Sequence, residues 1–125
     1  MSTPDVLVVE DESNIRELVA LHLRLEEMAP HEAADGNAGL DLARQRPYDL
    51  IILDLMLPDI SGFDVADELK RQLDTASVPI LVFTAKTITK QDRERLGGHV
   101  LQIMEKGSFS RQQFLAEVHR ALFQG

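Results

Sequence analysis

LIILDLMLPDISGFD, residues 50–64, runs four apolar residues into an aspartate, then a proline, then a Ser-Gly pair. Leu50–Leu53 shows no polar alternation, so it reads as a strand covered on both faces. Ser61 is placed to cap a helix with Phe63, Ala66, Leu69 and Leu73 on one side. The same order, apolar run then helix, recurs on either side of this stretch. Upstream, Asp5–Val9 (DVLVV) reads as a buried strand. Ser13 reads as the cap of a helix with an apolar stripe of Ile15, Leu18, Val19, His22 and Leu25 or Leu23. Met28–Ala34 is a weak strand; Pro30 has no N–H and places it at a sheet edge. Asp35-Gly36 marks a turn, and Asn37 reads as the cap of a helix ending before Pro47. Gly39 lies inside that helix, where it costs about 1 kcal/mol relative to Ala.

Downstream, Pro79–Phe83 is the next strand, and a short polar helix covers Lys90 to Leu96 before Gly97-Gly98. Val100–Met104 is the last strand. The final helix opens with a capping box of Ser110 and Gln113 and a hydrophobic staple of Phe109 and Phe114. Five strands each followed by a helix predict an α/β fold, a (βα)5 three-layer sandwich around a parallel sheet.

The chain has 125 residues, and the whole of 1–125 is expected to form a single domain. Acids outnumber bases 21 to 13, a net charge of −8, which repels phosphate backbones. Direct nucleic-acid binding by this domain is therefore not expected; a cation or a basic partner suits it better. The absence of cysteine excludes disulfides and thiolate chemistry. No apolar run is long enough for membrane insertion, and Met1–Asp5 has no basic leader, so a cytoplasmic location is expected.

In open parallel sheets, ligands bind beyond the carboxyl ends of the strands. Glu10 and Asp11 follow the first strand, Asp54 the third, Thr84 the fourth and Lys106 the fifth. Three neighbouring carboxylates need a cation, and oxygen ligands with retained water suit Mg2+. Beside such an ion, ionised Asp54 can attack phosphorus and become an aspartyl phosphate. Lys106 and Thr84 then have phosphoryl oxygens to hold.

At these residues the chain resembles the response-regulator receiver domain of two-component, His–Asp phosphorelay signalling. The matching segments are VLVVEDE (6–12), LIILDLMLPDISGFD (50–64), PILVFTA (79–85) and the Lys106 segment. The resemblance implies a flavodoxin-like sheet in the order 2-1-3-4-5. It implies Asp54 as phosphoacceptor and Mg2+ ligand, Asp11 as a direct Mg2+ ligand, Glu10 as a ligand through water and the Met56 backbone carbonyl as the third protein ligand. It also implies Thr84 as the switch hydroxyl and Lys106 as the phosphate-binding lysine. The implied donor is a sensor histidine kinase or a histidine phosphotransfer protein. The output would pass by conformational change to a downstream protein partner, and a homodimer is compatible with the family. Such a domain is not an enzyme beyond self-catalysed phosphoryl acceptance and slow autodephosphorylation. The alternative is a pseudo-receiver, a protein-interaction module that is not phosphorylated. An aspartate-type phosphatase is disfavoured, since Met56 stands where its second aspartate would be.

Four positions depart from the family pattern. Lys106 is followed by Gly107 rather than proline. A non-proline cis bond is costly and glycine permits unusual backbone angles, so the sequence leaves open whether this bond is cis or trans and how it places the lysine. Ile103 stands where an aromatic residue often reports the switch. Met56 and Lys86 occupy the positions that tune phosphoryl loss, and neither carries an acid or amide to orient water. Slow autodephosphorylation follows, with Met56 shielding the acyl phosphate. His22 reads as a packed, half-buried histidine, and Arg93-Glu94-Arg95 as a solvated helix face.

Overall fold

Strand and helix alternate five times in the computed structural model, which describes residues 3–108 and 110–123. The strands are β1 (Asp5–Val9), β2 (Ala29–Ala33), β3 (Leu50–Leu53), β4 (Ile80–Thr84) and β5 (Gln102–Glu105). The helices are α1 (Ser13–Leu25), α2 (Gly36–Gln45), α3 (Gly62–Arg71), α4 (Lys90–Leu96) and α5 (Arg111–Phe123). All neighbouring strands are parallel, in the order β2-β1-β3-β4-β5. The expected sheet is therefore present. β2 lies at an edge, where Pro30 faces Val6 and leaves no inner ladder broken.

Alternate strand residues feed two separate cores. Leu7, Val9, Ile51, Leu53, Ile80 and Val82 pack with Leu40, Phe63, Leu69 and Leu96 of α2, α3 and α4. Val6, Val8, Leu50, Ile52 and Leu81 pack with Val19, Leu23, Phe114 and Val118 of α1 and α5. Both faces of β1 and β3 are thus covered, which is why those strands are continuously apolar.

Several expected details are corrected. Glu12, not Ser13, is the N-cap of α1, without a side-chain bond; Ser13 is the first helical residue. Asp35, not Asn37, caps α2: its carboxylate accepts from the Ala38 N–H at 2.7 Å. The apolar stripe of α1 is turned. Val19, Ala20 and Leu23 are buried, whereas Leu18 and Leu25 are 54% and 67% exposed. Leucine and valine surround much of this helix, so periodicity did not select one face. β4 and β5 start one and two residues later than expected, at Ile80 and Gln102. α4 opens with a capping box of Thr89 and Asp92 that the sequence reading passed over. At α5 the Ser110 N–H donates to Gln113 Oε1 at 2.8 Å, and the Gln113 N–H returns to Ser110 Oγ at 3.2 Å. The Phe109 half of the expected staple lies outside the described residues.

Gly39 is explained by the approach of α2 to β1. A Cβ there would sit 2.8 Å from Val9 Cγ2, inside contact distance of a fully buried side chain. Gly39→Ala gains helix propensity but overpacks this contact, so a net loss of about 1 kcal/mol is expected in urea unfolding. A gain would mean that Val9 yields without strain. Asp35→Ala is expected to lose about 1 kcal/mol in the same assay, the usual value of an N-cap.

Candidate functional site

Pairing of β1 with β3 sets two acids side by side at the carboxyl edge. The Asp54 N–H donates to the Val9 carbonyl at 3.0 Å, and the Glu10 N–H to the Ala33 carbonyl at 3.0 Å. Carboxylate oxygens of Glu10, Asp11 and Asp54 lie within 4.8 Å of one another. Glu10 and Asp54 are buried, each 4% exposed, while Asp11 opens to solvent. Lys106 reaches in from the end of β5, its N–H donating to the Thr84 carbonyl at 2.8 Å. Its Nζ lies 2.6 Å from Glu10 Oε1 and 3.3 Å from Asp54 Oδ2.

The Lys106–Gly107 peptide, left open by the sequence, is trans. The missing proline does not displace the lysine: its ammonium lies on the two buried acids. Burial disfavours that charge, but the hydrogen bond and attraction of Glu10 and Asp54 outweigh it and raise the lysine pKa. Burial dominates at Glu10. Its pKa is pushed up to about 7 despite the Lys106 bond and a bond from the Glu12 N–H. A buried carboxyl that ionises reluctantly beside two others is a site short of positive charge. The all-oxygen donor set fits a hard divalent cation such as Mg2+.

Thr84 is fully buried at the end of β4, on the same edge, and its Oγ1 accepts from the Lys86 N–H at 3.2 Å. The Lys86 ammonium turns away to Asp92 Oδ2 at 2.6 Å. The Met56 N–H donates to Asp54 Oδ1 at 3.1 Å, and its side chain is 55% exposed beside the site. His22 is half-buried with Nδ1 2.8 Å from the Leu18 carbonyl, in keeping with a packed histidine.

Positioning groups that the sequence reading missed surround the acids. Arg16 donates to the backbone carbonyls of Glu10 and Asp11, at 2.8 and 3.3 Å, and pairs with Glu32. It therefore holds the acidic turn while leaving the carboxylates free. Asp59 bridges the loop after Asp54 to the start of α2, accepting from the Gly36 and Asn37 N–H groups at 2.8 Å each. Desolvation is the largest single influence on Asp59 and opposes its charge, but these and neighbouring backbone N–H donors together outweigh it and hold its pKa at about 2. Gly62 permits the loop to close on itself. A Cβ there would lie 2.3 Å from the Asp54 carbonyl oxygen. Glu105 accepts from the Ile88 N–H at 2.8 Å and ties the loop before α4 to β5. Arg16 lies in the first turn of α1, but nothing in its spacing separates it from an ordinary surface arginine.

With that geometry in place, the family described as the response regulator receiver domain matches residues 6–119. Response regulator ArlR of Staphylococcus epidermidis is 42% identical over 85 residues, which cover 68% of this chain and 37% of that protein. The chain thus spans little more than a third of the curated relative it matches. The response regulator TrrA of Thermotoga maritima, solved in complex with Mg2+ and BeF, superposes with a TM-score of 0.85 at 31% identity, over 96% of this chain and 100% of that one. The receiver domain of sensor histidine kinase PA1611 of Pseudomonas aeruginosa, solved with a magnesium ion in its active-site cleft, gives a TM-score of 0.86 at 26% identity. That match covers 97% of this chain and 98% of the other. Among the described residues, no helix is long and apolar enough to cross a membrane.

Proposed function

Because the chain belongs to the response regulator receiver domain family, we propose that it is a Mg2+-dependent phosphoacceptor switch, with Asp54 as the acceptor. The family implies a cognate histidine kinase as partner and is not a conventional enzyme family. The observation that carries the reading is the placement of buried Asp54 between two further acids and the Lys106 ammonium. In the proposed step, a carboxylate oxygen of Asp54 attacks the phosphorus of a phosphohistidine. A P–O bond forms, the P–N bond breaks, and the imidazole leaves with the electron pair and takes up a proton. Bound Mg2+ supplies positive charge to the acids and the phosphoryl oxygens. Asp11, Asp54, the Met56 carbonyl and, through water, Glu10 would hold it. Lys106 exchanges its bond to Asp54 for a phosphoryl oxygen, and Thr84 offers its hydroxyl to another. The two relatives solved with Mg2+ support the metal assignment.

The reading is tested by the intact mass of the protein after incubation with acetyl phosphate. One phosphoryl group should be gained with Mg2+, and none without the metal or in Asp54→Asn. A folded protein that binds Mg2+ but gains nothing from either acetyl phosphate or a phosphorylated kinase would be a pseudo-receiver. The whole of 1–125 is taken as one receiver domain, acting on a downstream protein without itself contacting nucleic acid or membrane, in the cytoplasm.

Phosphoryl loss is expected to be slow. Lys86 is engaged by Asp92 at 2.6 Å, and Met56 offers no polar group to an attacking water. Met56→Glu or Met56→Asn should shorten the phosphoryl lifetime by about tenfold, by supplying a group that orients water. A wild-type lifetime of seconds would contradict the assignment of these two positions.

A further inference from the structure

The acidic turn after β1 is tied to the edge strand twice. The Glu10 N–H donates to the Ala33 carbonyl of β2 at 3.0 Å. The Glu10 carbonyl accepts from Arg16 Nη1 at 2.8 Å, and Arg16 Nε lies 3.3 Å from Oε1 of Glu32, the residue before Ala33. The same Nη1 donates to the Asp11 carbonyl at 3.3 Å. The Arg16 side chain is 17% exposed, so its guanidinium meets little water. A full positive charge therefore sits against the backbone of two of the three acids that form a cation site. Attraction to those acids alone would not leave it there. A charge-assisted bond to a carboxylate is about twice as strong as a bond to a neutral carbonyl. The Asp11 carboxylate belongs to a residue whose carbonyl Arg16 already touches. It is open to solvent and has no ion-pair partner among the described residues. Glu32 draws the guanidinium the other way. Sheet pairing fixes Glu32 opposite Val8, two residues before Glu10. Exposed Arg24 approaches the same carboxylate only to 3.8 Å, so Arg16 is the nearer partner.

We propose that Glu32 is a positioning residue for the metal site, acting through Arg16. It holds the guanidinium on the backbone of Glu10 and Asp11 and off the Asp11 carboxylate, which keeps that carboxylate free for a divalent cation. It also offsets a charge that would repel the arriving ion. Without Glu32, Arg16 turns to Asp11 and competes with the metal. The inference rests on the Mg2+ site of the reading above and needs no phosphoryl transfer.

Titration calorimetry with Mg2+ tests it, at about 0.15 M salt to screen any direct pull of Glu32 on the ion. Circular dichroism establishes that each variant is folded. Glu32→Ala should weaken Mg2+ binding by about tenfold, the scale on which metal sites respond to loss of a group that orients their ligands. Glu32→Gln keeps an acceptor for Arg16 Nε and should lose less. In an Arg16→Gln background, Glu32→Ala should change the affinity by less than about twofold, because no guanidinium is left to turn. A loss of the same size in both backgrounds would mean that Glu32 acts on the ion by its own charge, and overturns the proposal. An unchanged affinity in Glu32→Ala does so too. A second readout needs no metal. The Arg16 Nε–H signal in nitrogen-15 NMR should exchange slowly with solvent in the wild type and rapidly in Glu32→Ala. A signal that Glu32→Ala leaves unaltered shows that Glu32 does not hold Arg16, and the proposal falls. A wild type that binds no Mg2+ overturns the metal assignment and this proposal together. A wild type that binds Mg2+, with variants that bind it equally well, overturns this proposal alone.

Discussion

Lys106→Ala is expected to destabilise the metal-free protein by about 3 kcal/mol near pH 8, and Mg2+ is expected to restore most of that loss. Lys106 is the one cation within hydrogen-bond reach of the Glu10 and Asp54 carboxylates among the described residues. Removing it leaves buried Glu10 and Asp54 facing each other without a counter-charge. Breaking a buried pair is severe because the remaining charge is neither solvated nor paired. The same variant should bind Mg2+ more tightly. The wild-type ammonium holds a Glu10 oxygen at 2.6 Å and repels an arriving cation. These two effects are one thermodynamic cycle, since the stability regained with metal is the extra binding free energy. Phosphoryl transfer should nevertheless be slower, because a donor to the phosphoryl oxygens is gone. Urea unfolding with and without Mg2+ checks the first claim. An equal loss in both conditions would assign it to the packing of the lysine stem, whose Nζ lies 5.7 Å from the centre of the Phe83 ring.

The sheet was legible because its inner strands have no polar residues to place. Val6–Val9 and Leu50–Leu53 fit nowhere but between two helical layers. The acids and the lysine were legible for a related reason. Each is the first or second residue past an apolar run, and parallel topology brings all those ends to one edge. The facing of α1 was not legible, because both of its sides are apolar. Which of Ser13, Glu12, Asn37 and Asp35 caps a helix was also not legible, because neighbouring polar residues compete and backbone angles decide. The groups that hold the site in place were the least visible. Asp59 acts on backbone N–H groups 22 and 23 residues away, and Glu105 on one 17 away. Such bonds leave no local pattern. Gly107 in place of proline left the geometry of the lysine loop open. In the structure the long side chain of Lys106 reaches the acids from beside a trans peptide.

Mg2+ affinity is expected to fall steeply with pH below about 7, by up to tenfold per unit, because the metal competes with a proton on Glu10. Burial raises this carboxyl from its ordinary 4.5 to about 7 in the folded protein. The folded state therefore binds the proton more tightly than the unfolded chain. Between these two values, unfolding releases a proton as pH rises, so metal-free stability is greatest below about 4.5 and declines towards 7 for this group. The raised pKa alone corresponds to about 3 kcal/mol across that window. Mg2+ reverses the preference, since it favours the ionised form. Binding near neutral pH should then release up to one proton, seen as a buffer-dependent heat in titration calorimetry. Glu10→Gln serves as the control. It should bind Mg2+ more weakly, lose the proton release and show a flatter stability profile between about pH 5 and 7. The remaining acids titrate in both proteins, so the difference between the two profiles isolates Glu10. A wild-type Mg2+ affinity that is flat from about pH 8 to about pH 6 would show that Glu10 is already ionised in the metal-free protein. Lys106 would then be holding it in that state more strongly than burial opposes it.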